Sequence, residues 1–209
     1  MIIRHRETGR VIRELDRELR SKILPPEDFS FGDFASADLS RWNLSFATLV
    51  AADLSDAKLE MAEARFANLG RARLERADLR GADFRYAHFM FANLRAATLD
   101  DSDLCGATFR DAGLEGASLR KAWIMGADLQ GAHLAHASLV DAILCGSDLE
   151  RADLCGADLN GADLRNAFVD FAIRWDEETR WPDGFQPPPP FVPGQGPAPR
   201  PERLRRRYG

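Results

Sequence analysis

The chain has 209 residues, and 28 basic against 33 acidic side chains leave a net charge of −5. That mildly acidic balance argues against nucleic acid as a partner. No run of 18 apolar residues occurs, so no membrane span is expected. Three cysteines, Cys105, Cys145 and Cys155, are an odd number and fit free thiols in a reducing cytoplasm.

The first 28 residues stand apart as a cap, and Met1–Arg6 lacks the apolar core of a signal peptide. Ile2, Ile3, Val11 and Ile12 flank Glu7-Thr8-Gly9, which reads as a β-hairpin over 1–15, followed by one or two helical turns over 16–24 that end at Pro25-Pro26. The rival is a single amphipathic helix through Val11, Leu15, Leu19 and Ile23. Either would cover an end that is otherwise an unpaired sheet edge.

From Phe29 to Val169 every fifth residue is large and apolar. The 29 positions hold 21 Leu, 5 Phe, one Ile, one Val and one Ala, Ala64. Two residues before each lies a small one; from Ala37 to Ala172 these are Ala at 25 of 28 positions, the exceptions being Trp42, Ser102 and Ser147. A period of five suits neither helix nor single strand. It requires a turning backbone that aims the same two residues inward each time, as stacked repeats do. The pattern resembles the pentapeptide repeat family, with units such as Ala152-Asp153-Leu154-Cys155-Gly156. The resemblance implies an all-β fold, a right-handed quadrilateral β-helix over 29–173, with 20 residues and four faces per coil. About seven coils at roughly 4.8 Å each give a rod on the order of 35 Å long.

Glycines two places after the large residue, Gly106 and Gly131 among them, mark type II turns, which want a positive φ there. They are denser in the second half, so more such turns are expected after Gly106 than before it. Ala64 leaves either a thin core or a bulge that lets Phe66 swing inward.

After Val169 the pattern decays. Residues 174–185 contain Thr179-Arg180-Trp181-Pro182-Asp183-Gly184-Phe185, which resembles the segment closing many bacterial pentapeptide repeat domains. Trp175, Trp181 and Phe185 offer three rings to plug the last coil. Residues 186–209 read as a flexible proline-rich tail ending in an arginine cluster.

Residues 20 apart should stack. That predicts charge ladders through Glu60, Arg80, Asp100 and Arg120, through Glu75, Arg95 and Glu115, and through Asp101, Lys121 and Asp141. It also predicts an apolar face. Phe46, Phe66 and Tyr86 lie along one corner, with Met90 and Phe91 around the next. Trp123, Met125 and Ile143 continue the face. A contiguous patch of this kind is a contact site by default, to be covered by the N-terminal segment or by another molecule. Aspartates of the coils from Asp128 to Asp163 make that end acidic; an aspartate before the large residue is expected to bond a nearby backbone N–H.

No catalytic constellation, metal spacing or phosphate loop is present, and His133 and His136 straddle the inward Leu134. No cofactor, metal or enzyme activity is expected. The expected function is a non-catalytic scaffold for a protein partner the sequence does not identify. A homodimer through the apolar face or the C-terminal end is compatible with it. The resemblance also implies a narrower alternative, an acidic DNA-mimicking rod that binds a type II topoisomerase and protects against quinolones. The Arg-rich middle coils and the lack of projecting loops depart from that pattern. An enzyme of unseen type stands last.

Overall fold

The computed structural model of the chain describes residues 2–14, 28–170 and 172–189. The expected helical turns over 16–24 and the tail from 190 onward lie outside the described residues.

The repeat closes into a right-handed quadrilateral β-helix. The residue before each large one pairs in parallel with its equivalent 20 positions on, as in Asp33↔Asp53, Asp38↔Lys58, Asn43↔Glu63 and Thr48↔Asn68. Those four pairs lie one on each of the four faces. Nearly every backbone N–H of a unit has a fixed partner, which is what burial of a closed coil demands. Leu39 N–H donates to the Lys58 carbonyl of the next coil at 2.7 Å, and Lys58 N–H donates back to Ala37 at 2.8 Å. Arg41 N–H reaches Glu60 at 2.9 Å, and Ala37 N–H closes the corner on the Phe34 carbonyl at 2.9 Å. The remaining N–H, just after the large residue, is met by the side chain just before it. Ala35 N–H donates to Asp33 Oδ1 at 3.2 Å, and the same bond recurs at Asp53, Asn68, Asp103 and Asp158. That is the physical reason Asp and Asn recur at this position.

The large residues and the alanines fill the axis, and Leu39 through Leu159 are almost wholly buried. Ser102 and Ser147 replace alanine by donating their hydroxyls to the Leu99 and Leu144 carbonyls at 2.7 Å. Ala64 is fully buried and its coil does not bulge, since Asn43↔Glu63 and Glu63↔Asp83 keep the 20-residue step. Phe66 stays outside, 45% exposed. Phe84, next in that inward column, is fully buried and supplies the larger side chain one coil on.

The expected imbalance of turns is corrected. All 28 corners from Phe31 to Asn166 carry a φ of 52–70° two places after the large residue, 20 of them without glycine. Closing a four-sided coil requires the same corner everywhere, so the ladder imposes it and the side chain only changes its cost. None of the 20 is β-branched, the class that tolerates this region least.

At the first coil, β1 (Ile2–Arg4) and β2 (Val11–Glu14) pair antiparallel. Asp33 N–H donates to Arg4 and Arg6 N–H to Phe31, both at 2.8 Å, so β1 leads the chain onto the first corner. Ile3 is fully buried there, and His5 stacks on Phe31 at 5.2 Å. At the other end the step lengthens. Arg174 pairs with Asp153 and Arg180 with Asp158, so their side-chain bonds span 21 and 22 residues. Ile173 and Thr179 thereby fall where alanine stood, and Trp175 and Trp181 where leucine stood. Trp175, Trp181 and Phe185 pack against the core, with ring centroids 6.0 and 5.0 Å apart in turn. The Trp175 indole donates to the Pro188 carbonyl at 3.1 Å, which ties the start of the proline stretch to the cap.

Candidate interaction face

The corners decide what the surface can do, because the second residue of each corner points outward and repeats every coil. One column of such positions reads Phe46, Phe66, Tyr86, then Gly106, Gly126 and Gly146. The three rings stack face to face, Phe46 on Phe66 and Phe66 on Tyr86, with centroids 5.1 Å apart in both pairs and planes within 13°. They are 45–58% exposed. Tyr86 leans over Gly106, where an added Cβ would lie 2.6 Å from its ring. A glycine is needed at that corner for the tyrosine to lie down.

The flat side leading to this corner splits into two parts. Beside the rings lie Arg65, Arg85 and Asp83; Arg65 Nε meets Asp83 at 2.6 Å and Arg85 meets it at 2.8 Å. Beside the glycines, Trp123 and Ile143 pair as neighbouring strand residues, and Met125 lies between Cys105 and Cys145 in the adjacent column. Trp123 and Met125 are exposed, Ile143 half-buried. Phe91 and Met90 are exposed as well, but around the next corner, where the Arg71 guanidinium sits 5.9 Å from the Phe91 ring. The patch read from the sequence is therefore one aromatic stack, one apolar stretch beside it, and a separate Phe91 corner. Met61 (59% exposed) also projects at another corner, and Phe31 at the first coil of the Phe91 corner.

Charges follow the columns. Arg80 pairs with Glu60 and with Asp78 (2.6 Å), Arg76 with Asp56 (2.6 Å) and Arg95 with Glu115 (3.9 Å). Among the described residues the Asp101–Lys121–Asp141 column forms no such pair. At the acidic end, Asp128 lies 3.5 Å from Arg110, and Asp148 accepts from the Gln130 amide at 2.5 Å. Asp153, Asp158 and Asp163 are met by Arg174, Arg180 and Arg165. Burial pushes the Cys105 and Cys155 thiols up to about 11, and the Asp163 carboxylate raises Cys145, so all three stay protonated near neutrality.

Partial burial pushes Asp83 up, but bonds from Arg85 and Arg65 outweigh it and hold its carboxyl at about 2. A carboxylate depressed in the folded state stabilises fully above its unfolded value and loses that contribution as pH falls through the folded value. Asp83 should therefore contribute about 1 kcal/mol after solvent screening, lost between about pH 4 and pH 2. Urea unfolding of wild type and Asp83→Asn at pH 7 and pH 2.5 should show a gap that narrows at the lower pH; a gap unchanged with pH would contradict this.

An open groove of about 400 Å³ runs along another corner, lined by Glu60, Met61, Arg80 and Asp100 among others. Among the described residues no three His, Cys, Asp or Glu side chains converge to hold a metal, and no helix is long and apolar enough to cross a membrane.

A coil of four five-residue sides with a recurring inward pair defines a solenoid repeat protein. The pentapeptide repeats model matches residues 28–60, 62–90, 87–122 and 127–169 in eight copies, so the chain belongs to the pentapeptide repeat family. The chain is also similar to solved structures. QnrB1, a plasmid-mediated fluoroquinolone resistance protein, is 20% identical over 69% of this chain and 79% of its own, with a TM-score of 0.55, a likeness of fold alone. HetL, a pentapeptide repeat protein involved in heterocyst differentiation regulation in the cyanobacterium Nostoc sp. strain PCC 7120, is 26% identical over 63% of this chain and 84% of its own, with a TM-score of 0.41. The protein alr5209, also from Nostoc, is 32% identical over 45% of this chain and 77% of its own, with a TM-score of 0.43. No curated protein matches the chain.

Proposed function

We propose that the chain is a non-catalytic protein-interaction rod that binds through the corner of Phe46, Phe66 and Tyr86 and the adjoining Trp123, Met125 and Ile143. The supporting observation is the stack of three half-exposed rings, held 5.1 Å apart by the coil spacing. Such rings are rigid and costly to leave in water, and they offer large contact area at little entropic cost. Three unpaired cysteines suit a reducing cytoplasm.

Affinity capture from the native cell tests this. Phe46→Ser with Phe66→Ser should lose partners that wild type retains, while Met61→Ser, exposed at a different corner, should keep them. Identical capture by all three would sink the reading. The acidic topoisomerase-binding alternative has less in its favour, because Asp153, Asp158 and Asp163 are already met by arginines. Gyrase supercoiling is expected to stay unchanged when the protein is added.

A further inference from the structure

The corner column of the interaction face complements itself. Three coils carry rings, Phe46, Phe66 and Tyr86, and the next three carry glycines, Gly106, Gly126 and Gly146. Gly126 and Gly146 have nothing within 4 Å of where a Cβ would stand, so their corners are open notches. Rings and notches share one repeat, since the rings stand 5.1 Å apart along the same ladder.

We infer that this face seats a second copy of the same chain, antiparallel, about a two-fold axis lying across the rod between the coils of Tyr86 and Gly106. The inference rests on the reading that the face is a protein contact, and it names the partner. A two-fold interface sets residue i against j and j against i. With the axis there, Phe66 of each copy falls on Gly126 of the other, and Phe46 on Gly146. The two Tyr86 rings, each lying over its own Gly106, meet beside the axis. Shifting the axis by a coil leaves a ring without a notch. A parallel arrangement sets ring against ring.

Two neighbouring columns agree with this register; on the flat side Trp123 would face Glu63, and Asp83 would face Asp103, each already held by Arg85 of its own chain at 2.8 and 3.4 Å. Arg65 would face Met125, and Ser45 would face Cys145, so neither meets a like charge. Around the corner, Asn68 would face Asp128, and Thr48 would face Asp148. Charge is also complementary between the halves. The ring-bearing half is edged by Arg65, Arg71 and Arg85 against Glu63 and Asp83, and the glycine half by Asp103, Asp128 and Asp148 against Arg110. Antiparallel packing brings the slightly basic half of each copy onto the more acidic half of the other, twice.

Light scattering on the full chain tests the inference. Wild type should give twice the single-chain mass of 23.3 kDa at micromolar concentration. Phe66→Arg and Gly126→Arg should each return the mass to one chain. The second variant keeps its fold, because Arg71 and Arg151 occupy the same corner position at φ 59° and 61°. Met61→Arg, off the face, should remain double. In Ser45→Cys a short bismaleimide should join the new thiol to Cys145 of the other copy, identified by peptide mass. A single-chain mass for wild type, or a double mass that survives both Phe66→Arg and Gly126→Arg, overturns the inference. If wild type is single and the capture experiment still depends on Phe46 and Phe66, the face serves a different protein; if neither holds, both readings fall.

Discussion

Phe89→Ala is expected to cost about 3–5 kcal/mol of unfolding free energy. Phe89 is fully buried, with Phe109 stacked on it at 4.7 Å and Phe84 edge-on at 5.3 Å. Truncation therefore empties space bounded by two other rings. Neighbouring coils cannot close in, because hydrogen bonds such as Phe89 N–H to Thr108 at 2.7 Å fix their separation. Each coil touches only its neighbours, so a weak layer should also uncouple the two ends of the rod. Urea unfolding followed by circular dichroism should show an earlier and broader transition than wild type. A loss under about 1 kcal/mol would mean that the layer relaxes far more than a ladder of this kind allows.

Ala107→Leu should destabilise by about 1–3 kcal/mol, by the opposite route of overfilling. Ala107 is fully buried, and its carbonyl accepts from Asp128 N–H at 3.0 Å. Ala87 and Ala127 occupy the same inward position in the coils on either side, both buried. Three added carbons have nowhere to go while that spacing holds. Ala35→Leu serves as the comparison, since Ala35 is exposed and outside the inward column. It should change the midpoint little. Equal effects from the two variants would remove the case that the small position is set by the approach of adjacent coils.

These two positions also show why the fold was legible in the sequence. A residue whose neighbours are its own equivalents one coil away has its surroundings written in the sequence, so Phe89 and Ala107 could be placed by counting. The same counting brought Phe46, Phe66 and Tyr86 to one corner and Trp123 beside Ile143. It also set Met90 and Phe91 around the next corner, where both stand exposed. The turn expectation failed. Glycine in a sequence points to a positive φ where it stands, whereas closure of the coil imposes that φ at every corner, and Arg41, Lys121 and Asn166 submit to it. Phe66 could not be assigned inward or outward from its own sequence. The backbone ladder decides that, and it admits no extra residue at Ala64.

The lengthened steps at Arg174 and Arg180 bear on what the rod does in a crowded solution. Every internal layer could in principle serve as a template for the layer after it, including one supplied by a different molecule. A terminus identical to the interior would recruit such a layer and grow into a filament without limit. By falling out of phase and laying indoles where aliphatic chains belong, the last layer stops matching any layer that could follow, and the polymer ends at a length of one.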